Sequence, residues 1–214
     1  MTDEQKRALF ARQKRLLDTF LGTHAITRAQ YDKSLGDLAA KMGISGEAER
    51  TAYFAGGCFW CITPSFALTD GVKRVECGYS GGTEPAPTYE EVKAQQTGHR
   101  ETVAVTYDPA AVSYVDLFDV FLASVDPFDA GGQYVDRGRS YTLAAYVTSP
   151  EEKTIVREKL AALEETSGRT PAVAVEPFAF FVPAEEEHQE YYLKNPEAFE
   201  NELRESGRQE KNHA

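Results

Sequence analysis

The chain is poor in cysteine, the residue that builds disulfide frameworks. Its 214 residues include three cysteines, two of which, Cys58 and Cys61, are only three positions apart. An odd and closely spaced set is a poor structural disulfide framework, whereas it fits working thiols in a reducing compartment. The sequence therefore predicts a cytoplasmic protein whose cysteines have a chemical role.

Positive charge is also scarce. The chain has 23 Lys and Arg against 34 Asp and Glu, for a net charge of −11. Nucleic acids and anionic lipids both require a basic face. No apolar run approaches the roughly 20 residues that span a bilayer, and the first residues lack the apolar core of a signal peptide. We therefore predict neither a nucleic-acid nor a membrane partner.

The most informative segment is Cys58-Phe59-Trp60-Cys61, which follows a glycine pair and a short apolar run at 51–55. A strand, glycines and then a cysteine place a thiol at a helix N-terminus, where unpaired N–H groups and the helix dipole favour the thiolate. This pattern predicts a lowered pKa for Cys58 and a nucleophilic sulfur. Cys61 lies on the same helical face and is a candidate to close a disulfide with Cys58.

Cys77 is the alternative partner for Cys58. It belongs to a predicted strand at 72–79, where alternating side chains place it on the same face as Tyr79. If Tyr79 lines the site, Cys77 points the same way. The simpler interpretation of Cys77 is a buried strand cysteine that only packs.

Glu101 is the candidate general acid. In the predicted strand 99–107 it shares a face with Val103 and Val105, so burial is expected to raise its pKa and keep it protonated near neutral pH. The alternative is an exposed glutamate at the start of a strand.

A metal site has little support in the sequence. A Cys₃His zinc set would need Cys58, Cys61, Cys77 and His99. Cys77 and His99, however, lack the close paired spacing of zinc-ribbon ligands. The Glu-x-x-His sequence at 185–188 has no second copy, which a di-iron site would need. We interpret that segment as a solvated helix start and predict no metal.

The order of predicted elements indicates an α+β fold, with a mixed sheet and flanking helices. We expect two layers with a ferredoxin-like core, preceded by an N-terminal helical hairpin. The predicted domains are a helical extension at 1–48, a catalytic domain at 49–200 and a polar tail at 201–214. The predicted strands lie at 51–55, 72–79, 99–107, 141–147 and 172–181, the last being either one bent strand or two short ones broken at Pro177. Helices are predicted to begin near residues 58, 89, 113 and 149, and a loop at 126–140.

Several motifs, taken in order, resemble those of the A-type peptide methionine sulfoxide reductases, which act on the S epimer of methionine sulfoxide. The match covers roughly residues 50–196. Its ordered motifs are Gly56-Gly57-Cys58-Phe59-Trp60, Gly78-Tyr79-Ser80-Gly81-Gly82, Pro87-Thr88-Tyr89, Thr97-Gly98-His99-Arg100-Glu101, Tyr107-Asp108-Pro109, Asp126-Pro127, Asp136-Arg137-Gly138 and Glu187-His188-Gln189.

The resemblance implies a role for each matching position. It makes Cys58 the nucleophile and Glu101 the acid that protonates the sulfoxide oxygen. The remaining implied positions are the methyl-pocket wall, Phe59 and Trp60, and the polar end of the pocket, Tyr79, Asp136 and Tyr141. It also implies that no metal or organic cofactor is needed, that a thioredoxin-like dithiol is the reductant, and that the substrate is free or protein-bound methionine sulfoxide.

The chain departs from the family pattern at several places. The segment 206–214 has no cysteine where many members carry a recycling one, so recycling must use Cys61, Cys77 or an external thiol. Ser140 and Thr142 replace the usual Gln and Arg, which predicts weaker substrate contacts. The alternatives are a thiol–disulfide oxidoreductase that uses the Cys58–Cys61 pair, or a degenerate relative that binds methionine-rich peptides.

Overall fold

The first part of the chain consists of two helices. The computed structural model describes residues 2–22, 25–42 and 49–206. Helices α1 (Asp3–Gly22) and α2 (Arg28–Met42) pack against one another. Residues 43–48, which connect α2 to the following segment, lie outside the described residues. No helix in the described segments is long and apolar enough to cross a membrane.

A six-stranded mixed sheet forms the centre of the remaining chain. Its strand order is β7-β6-β1-β3-β2-β8. The β6–β7 pair is parallel and the other neighbouring pairs are antiparallel. The strands are β1 (Arg50–Ala55), β2 (Val72–Ser80), β3 (Arg100–Tyr107), β6 (Ala144–Val147), β7 (Ala174–Pro177) and β8 (Val182–Pro183), and a separate hairpin joins β4 (Gly132–Gln133) to β5 (Asp136–Arg137).

Helices flank this sheet, as predicted. Helix α3 contacts α5, and α6 contacts both α5 and β6. The helices are α3 (Phe59–Ala67), α4 (Tyr89–Lys93), α5 (Tyr114–Ser124), α6 (Pro150–Ser167), α7 (Tyr191–Lys194) and α8 (Pro196–Glu205), with 3-10 turns at Arg139–Tyr141 and Glu186–His188.

The main core lies between the sheet and helices α3 and α5. Phe54 of β1 is at its centre, with its ring stacked on Phe66 at 5.5 Å and on Phe121 at 5.2 Å between centroids. On the opposite face of the sheet, Tyr53 stacks on Phe178 at 3.9 Å. Alternation along β1 therefore buries successive residues on the two faces.

Helix α3 is continuous, although Pro64 lies within it. A proline at this position favours a kink or a separate first turn, with Thr63 capping a new start. Proline cannot donate to the carbonyl four residues earlier. Thr63 does not cap a new helix; its hydroxyl donates to the Phe59 carbonyl at 2.7 Å and keeps a side-chain hydrogen bond in this turn.

Predicted and observed boundaries differ at several places. Tyr141 lies in a 3-10 turn, and β6 begins only at Ala144. The predicted loop at 126–140 contains the β4–β5 hairpin. In the segment 172–181 the strand breaks at Pro177, which was one of the two predicted alternatives, so β7 lies at one edge of the sheet and β8 at the other. The domain boundary placed after residue 200 falls within α8.

We expect Phe54→Ala to destabilise the protein by about 3–5 kcal/mol, because Phe54 is 0% exposed and its removal leaves a cavity among packed rings. The measurement is the free energy of urea unfolding. Leu68→Ala is the matched control, since Leu68 is 82% exposed and should cost far less. Equal losses in both variants would contradict this view of the core.

Candidate active site

Cys58 immediately precedes helix α3 and is buried, with 5% exposure. Gly57 before it has φ of 78°, a left-handed conformation that favours glycine. The backbone N–H of Cys61 donates to the Cys58 carbonyl at 3.1 Å, which closes the first turn of the helix. The predicted placement of Cys58 at a helix N-terminus is therefore correct.

Glu101 is buried beside this helix start, as strand alternation predicted. It is 1% exposed and faces Tyr79 across the β2–β3 register. Its Oε2 accepts a hydrogen bond of 3.0 Å from the backbone N–H of Phe59. Burial raises the pKa of Glu101 to about 8, and the charges of Asp136 and Glu202 act in the same direction. Glu101 is therefore mostly protonated at neutral pH.

The pKa of the Cys58 thiol is raised, which corrects the lowered value expected at a helix N-terminus. The hydrogen bond with Cys61 and burial are the main causes, and the charges of Glu101 and Glu202 add to them. The Phe59 N–H is occupied by Glu101, and the Cys58 Sγ–H donates to Glu202 Oε1 at 3.6 Å. The resting nucleophile is therefore a thiol.

The other polar residues predicted for the site surround Glu101. A hydrogen bond joins the Tyr141 hydroxyl to the Glu101 carboxyl. The charge of Asp136 helps to raise the pKa values of both Glu101 and Tyr141, although burial is the largest cause for each. The Tyr79 hydroxyl is directed elsewhere, because it donates to Glu185 Oε2 at 2.8 Å. Tyr141 is thus the tyrosine that contacts the buried acid.

The unusual residues on either side of Tyr141 hold its turn in place. The Ser140 N–H donates to Gln95 Oε1 at 3.0 Å, and Gln95 Nε2 donates to the Ser140 hydroxyl. Thr142 Oγ1 accepts from Arg100 Nε at 2.8 Å. Both departures from the family pattern therefore take part in local hydrogen bonds.

An aromatic cluster lies beside Cys58. Phe59 is fully buried, and the Trp60 ring stacks on Tyr191 at 4.0 Å with an interplanar angle of 12°. Tyr89 and His188 complete the cluster, with ring centroids 4.1 Å apart. The predicted aromatic wall is present and larger than the two residues first assigned to it.

The segment 185–188 is a 3-10 turn whose three glutamates are exposed, as expected of a solvated helix start, but His188 is buried. His188 is 7% exposed, and burial lowers its pKa. Glu185 accepts hydrogen bonds from the Tyr79 hydroxyl and, at 3.0 Å, from the Tyr89 N–H. The sequence signals for these residues were the family motifs that contain Tyr89 and His188. The charge and polarity of the segment alone suggested that it is exposed to solvent.

The structure places Cys61, and not Cys77, beside Cys58. The sulfur atoms of Cys58 and Cys61 and a carboxylate oxygen of Glu202 all lie within 4.8 Å of one another. The Cys77 sulfur instead lies 3.3 Å from Thr63 Oγ1, and burial raises the pKa of Cys77 to about 12. All three cysteines lie in described segments and are present as thiols.

The structure does not bring together the four zinc ligands considered from the sequence, Cys58, Cys61, Cys77 and His99. The compact group found among the described residues comprises Cys58, Cys61 and Glu202, so Cys77 and His99 lie outside it. His99 Nε2 instead hydrogen-bonds the Glu84 carbonyl at 2.9 Å.

Glu202 is the site residue that sequence reasoning missed. It belongs to α8, within a segment we had interpreted as a polar tail. A cleft of about 560 Å³ opens beside it, with Asp136 on the same lining. No sequence motif marked Glu202, because it reaches Cys58 only through the fold.

Comparisons with known proteins support the resemblance. A family model described as peptide methionine sulfoxide reductase matches residues 50–214. The peptide methionine sulfoxide reductase MsrA of Halalkalibacterium halodurans is 42% identical over 161 residues, which is 74% of this chain and 92% of that protein. The corresponding protein of Deinococcus radiodurans is 40% identical over 179 residues, 82% of this chain and 85% of its own length.

Solved structures agree with these matches. Methionine sulfoxide reductase A of Corynebacterium diphtheriae has a TM-score of 0.64 and 30% identity, covering 71% of this chain and 77% of that one. The reduced form of Mxr1 from Saccharomyces cerevisiae has a TM-score of 0.66 and 27% identity, covering 70% of this chain and 87% of its own. The likeness therefore includes both sequence and fold.

We expect the pH dependence of stability to depend on Glu101. Its pKa is about 8 in the folded protein against an ordinary 4.5, so folding takes up a proton between these pH values. This group's contribution to stability therefore falls as pH rises from 4.5 to 8, by at most about 1.4 kcal/mol per pH unit. Glu101→Gln cannot titrate and should lose less stability over this range.

The measurement is the free energy of urea unfolding at pH 5 and pH 8. Glu158→Gln, on the exposed side of α6, is the control and should keep the wild-type pH dependence. An unchanged pH dependence in Glu101→Gln would show that Glu101 does not hold its proton in the folded state.

Proposed function

Because the chain belongs to the peptide methionine sulfoxide reductase family, we propose that it reduces the S epimer of methionine sulfoxide, free or peptide-bound, to methionine through Cys58. The observation that carries this proposal is the pairing of a buried thiol with a buried carboxyl that keeps its proton at neutral pH. Reduction of a sulfoxide needs both, a nucleophile at sulfur and a proton for the departing oxygen.

In the first step, the Cys58 sulfur attacks the sulfoxide sulfur while Glu101 protonates the oxygen. Tyr141, hydrogen-bonded to Glu101, stabilises the charge that develops on this oxygen. Asp136 supports the reaction by helping to keep Glu101 protonated. The protonated oxygen then moves to the Cys58 sulfur, while its bond to the substrate sulfur and the bond between the two sulfur atoms break, so methionine leaves and Cys58 becomes a sulfenic acid. The proton that Cys58 loses replaces the one that Glu101 donated.

The aromatic cluster supplies the apolar half of the pocket. We propose that the substrate methyl group packs against Phe59 and Trp60, while Glu101 and Tyr141 hold the oxygen. Two separate subsites for methyl and oxygen explain selection of one sulfoxide epimer. Tyr79 contributes indirectly, since its hydroxyl holds Glu185 and so supports the segment that carries His188.

Recycling uses Cys61 in this proposal. Its thiol attacks the Cys58 sulfenic acid, giving a Cys58–Cys61 disulfide and water, and a thioredoxin-type dithiol reduces the disulfide by exchange. The proximity of Cys61 to Cys58 and the position of Cys77 against Thr63 support this choice. The reaction needs no metal or organic cofactor.

We also propose finer assignments for the fold and setting. The order β6-β1-β3-β2, with α3 between β1 and β2 and α5 between β3 and β6, supports a ferredoxin-like core. Helices α1 and α2 would be an appended hairpin within 1–48, followed by the catalytic domain from residue 49. Working thiols support a cytoplasmic location.

The test is turnover of a peptide containing methionine-S-sulfoxide, with thioredoxin and separately with dithiothreitol. Cys58→Ser should abolish turnover with either reductant, because it removes the nucleophile. Cys61→Ser should lose turnover with thioredoxin and keep it with dithiothreitol, which reduces the sulfenic acid directly. Cys77→Ser is the control and should retain both activities.

A wild-type protein that reduces no sulfoxide with either reductant would refute the proposal. Disulfide exchange without sulfoxide reduction would favour a thiol–disulfide oxidoreductase, and peptide binding without turnover would favour a degenerate binding relative. Loss of thioredoxin-dependent turnover in Cys77→Ser alone would reassign the resolving role.

A further inference from the structure

Helix α8 places a carboxylate beside both cysteines of the proposed redox pair. The Cys58 Sγ–H donates to Glu202 Oε1 at 3.6 Å. The two sulfur atoms and a Glu202 carboxylate oxygen all lie within 4.8 Å of one another. Glu202 thus contacts the reacting sulfur of Cys58 and lies close to that of Cys61.

Glu202 is distinct from the acid proposed for sulfoxide reduction. Glu101 lies on β3, is almost fully buried and is held by the Phe59 N–H. Glu202 is only partly buried and borders the open cleft beside Asp136. The site therefore has two carboxyl groups in different environments, an arrangement that suits two different proton transfers.

We propose that Glu202 is the acid–base catalytic residue of the disulfide-forming step. This inference rests on the proposed function, and it assigns a proton path to the second half of the cycle. The Glu202 carboxylate removes the proton of the Cys61 thiol as its sulfur attacks Cys58. The same group then protonates the hydroxyl that leaves Cys58.

The step is balanced without another reactant. The S–S bond between Cys58 and Cys61 forms as the S–O bond of the sulfenic acid breaks. The sulfenic sulfur is reduced, the thiol sulfur is oxidised, and the Cys61 proton leaves with the hydroxyl as water. Glu202 returns to its starting state, so one carboxylate serves every turnover.

Glu202 also explains how this chain resolves its sulfenic acid without a cysteine at 206–214. The C-terminal segment supplies a proton-transfer group to a dithiol that α3 already holds together. A helix that approaches Cys58 from 144 residues away in sequence thus completes the local Cys58–Cys61 pair.

The experiment separates the two half-reactions of reduced enzyme in the absence of reductant. Methionine release from a methionine-S-sulfoxide peptide measures the first step, and loss of thiols measures disulfide formation. In Glu202→Gln, we expect disulfide formation to slow at least tenfold relative to methionine release. Dimedone, which traps sulfenic acids, should label Cys58 more strongly than in the wild-type protein. Methionine release by the same variant reports that its site is folded.

Glu200→Gln is the matched control, because it removes the same charge from an exposed position on the same helix and should behave like the wild type. Glu202→Asp retains a carboxylate and should recover part of the disulfide-forming rate. Disulfide formation in Glu202→Gln that keeps pace with methionine release would overturn the proposal. An equal slowing of both steps would also overturn it, since that result indicates a general effect on the site.

Hydrogen peroxide provides an arm that does not depend on sulfoxide reduction. It oxidises Cys58 to the sulfenic acid directly, after which the same disulfide formation can be followed in wild type and Glu202→Gln. A slower step in the variant supports the role of Glu202 even if no sulfoxide is reduced, and an equal rate refutes it. Failure of the proposed function and failure of this inference are therefore distinguishable.

Discussion

The hydrogen bond from the Phe59 N–H to Glu101 Oε2 is the interaction on which the site depends. It joins the first turn of α3, which carries the nucleophile, to β3, which carries the buried acid. Around this bond, the sheet sets the position of Glu101 and the glycine turn sets that of Cys58. Because one end is a backbone group, the fold itself anchors the Glu101 carboxyl at the helix start that carries Cys58.

The same bond changes the electrostatics expected for Cys58. A helix N-terminus normally stabilises a thiolate, but here its first N–H is used by a carboxyl group. Burial raises the pKa of the acid, and the hydrogen bond with Cys61 together with burial raises the pKa of the thiol. The resting site therefore holds its protons, and the thiolate forms only as the sulfur attacks. A thiol in this state reacts more slowly with solvent oxidants than a thiolate would.

Much of this site could be predicted from residues that are close in sequence. Strand alternation predicted burial of Glu101, and the glycine pair predicted the position of Cys58 at the start of α3. Tyr141 was predicted in a strand because an apolar run follows at 143–147, whereas hydrogen bonds of Ser140 with Gln95 and of Thr142 with Arg100 hold it in a turn. His188 and Glu202 were not predicted, because polar residues in polar segments show no periodicity and their burial is created by contacts across the fold.

Trp60 is the only tryptophan in the chain, and its ring stacks on Tyr191 at the proposed methyl pocket. The intrinsic tryptophan fluorescence of the protein therefore comes entirely from the site. A substrate methyl group that displaces Tyr191, or a nearby disulfide that quenches the indole, would change this emission without any added label. The protein thus contains its own optical reporter, and each stage of its catalytic cycle is accessible to stopped-flow spectroscopy.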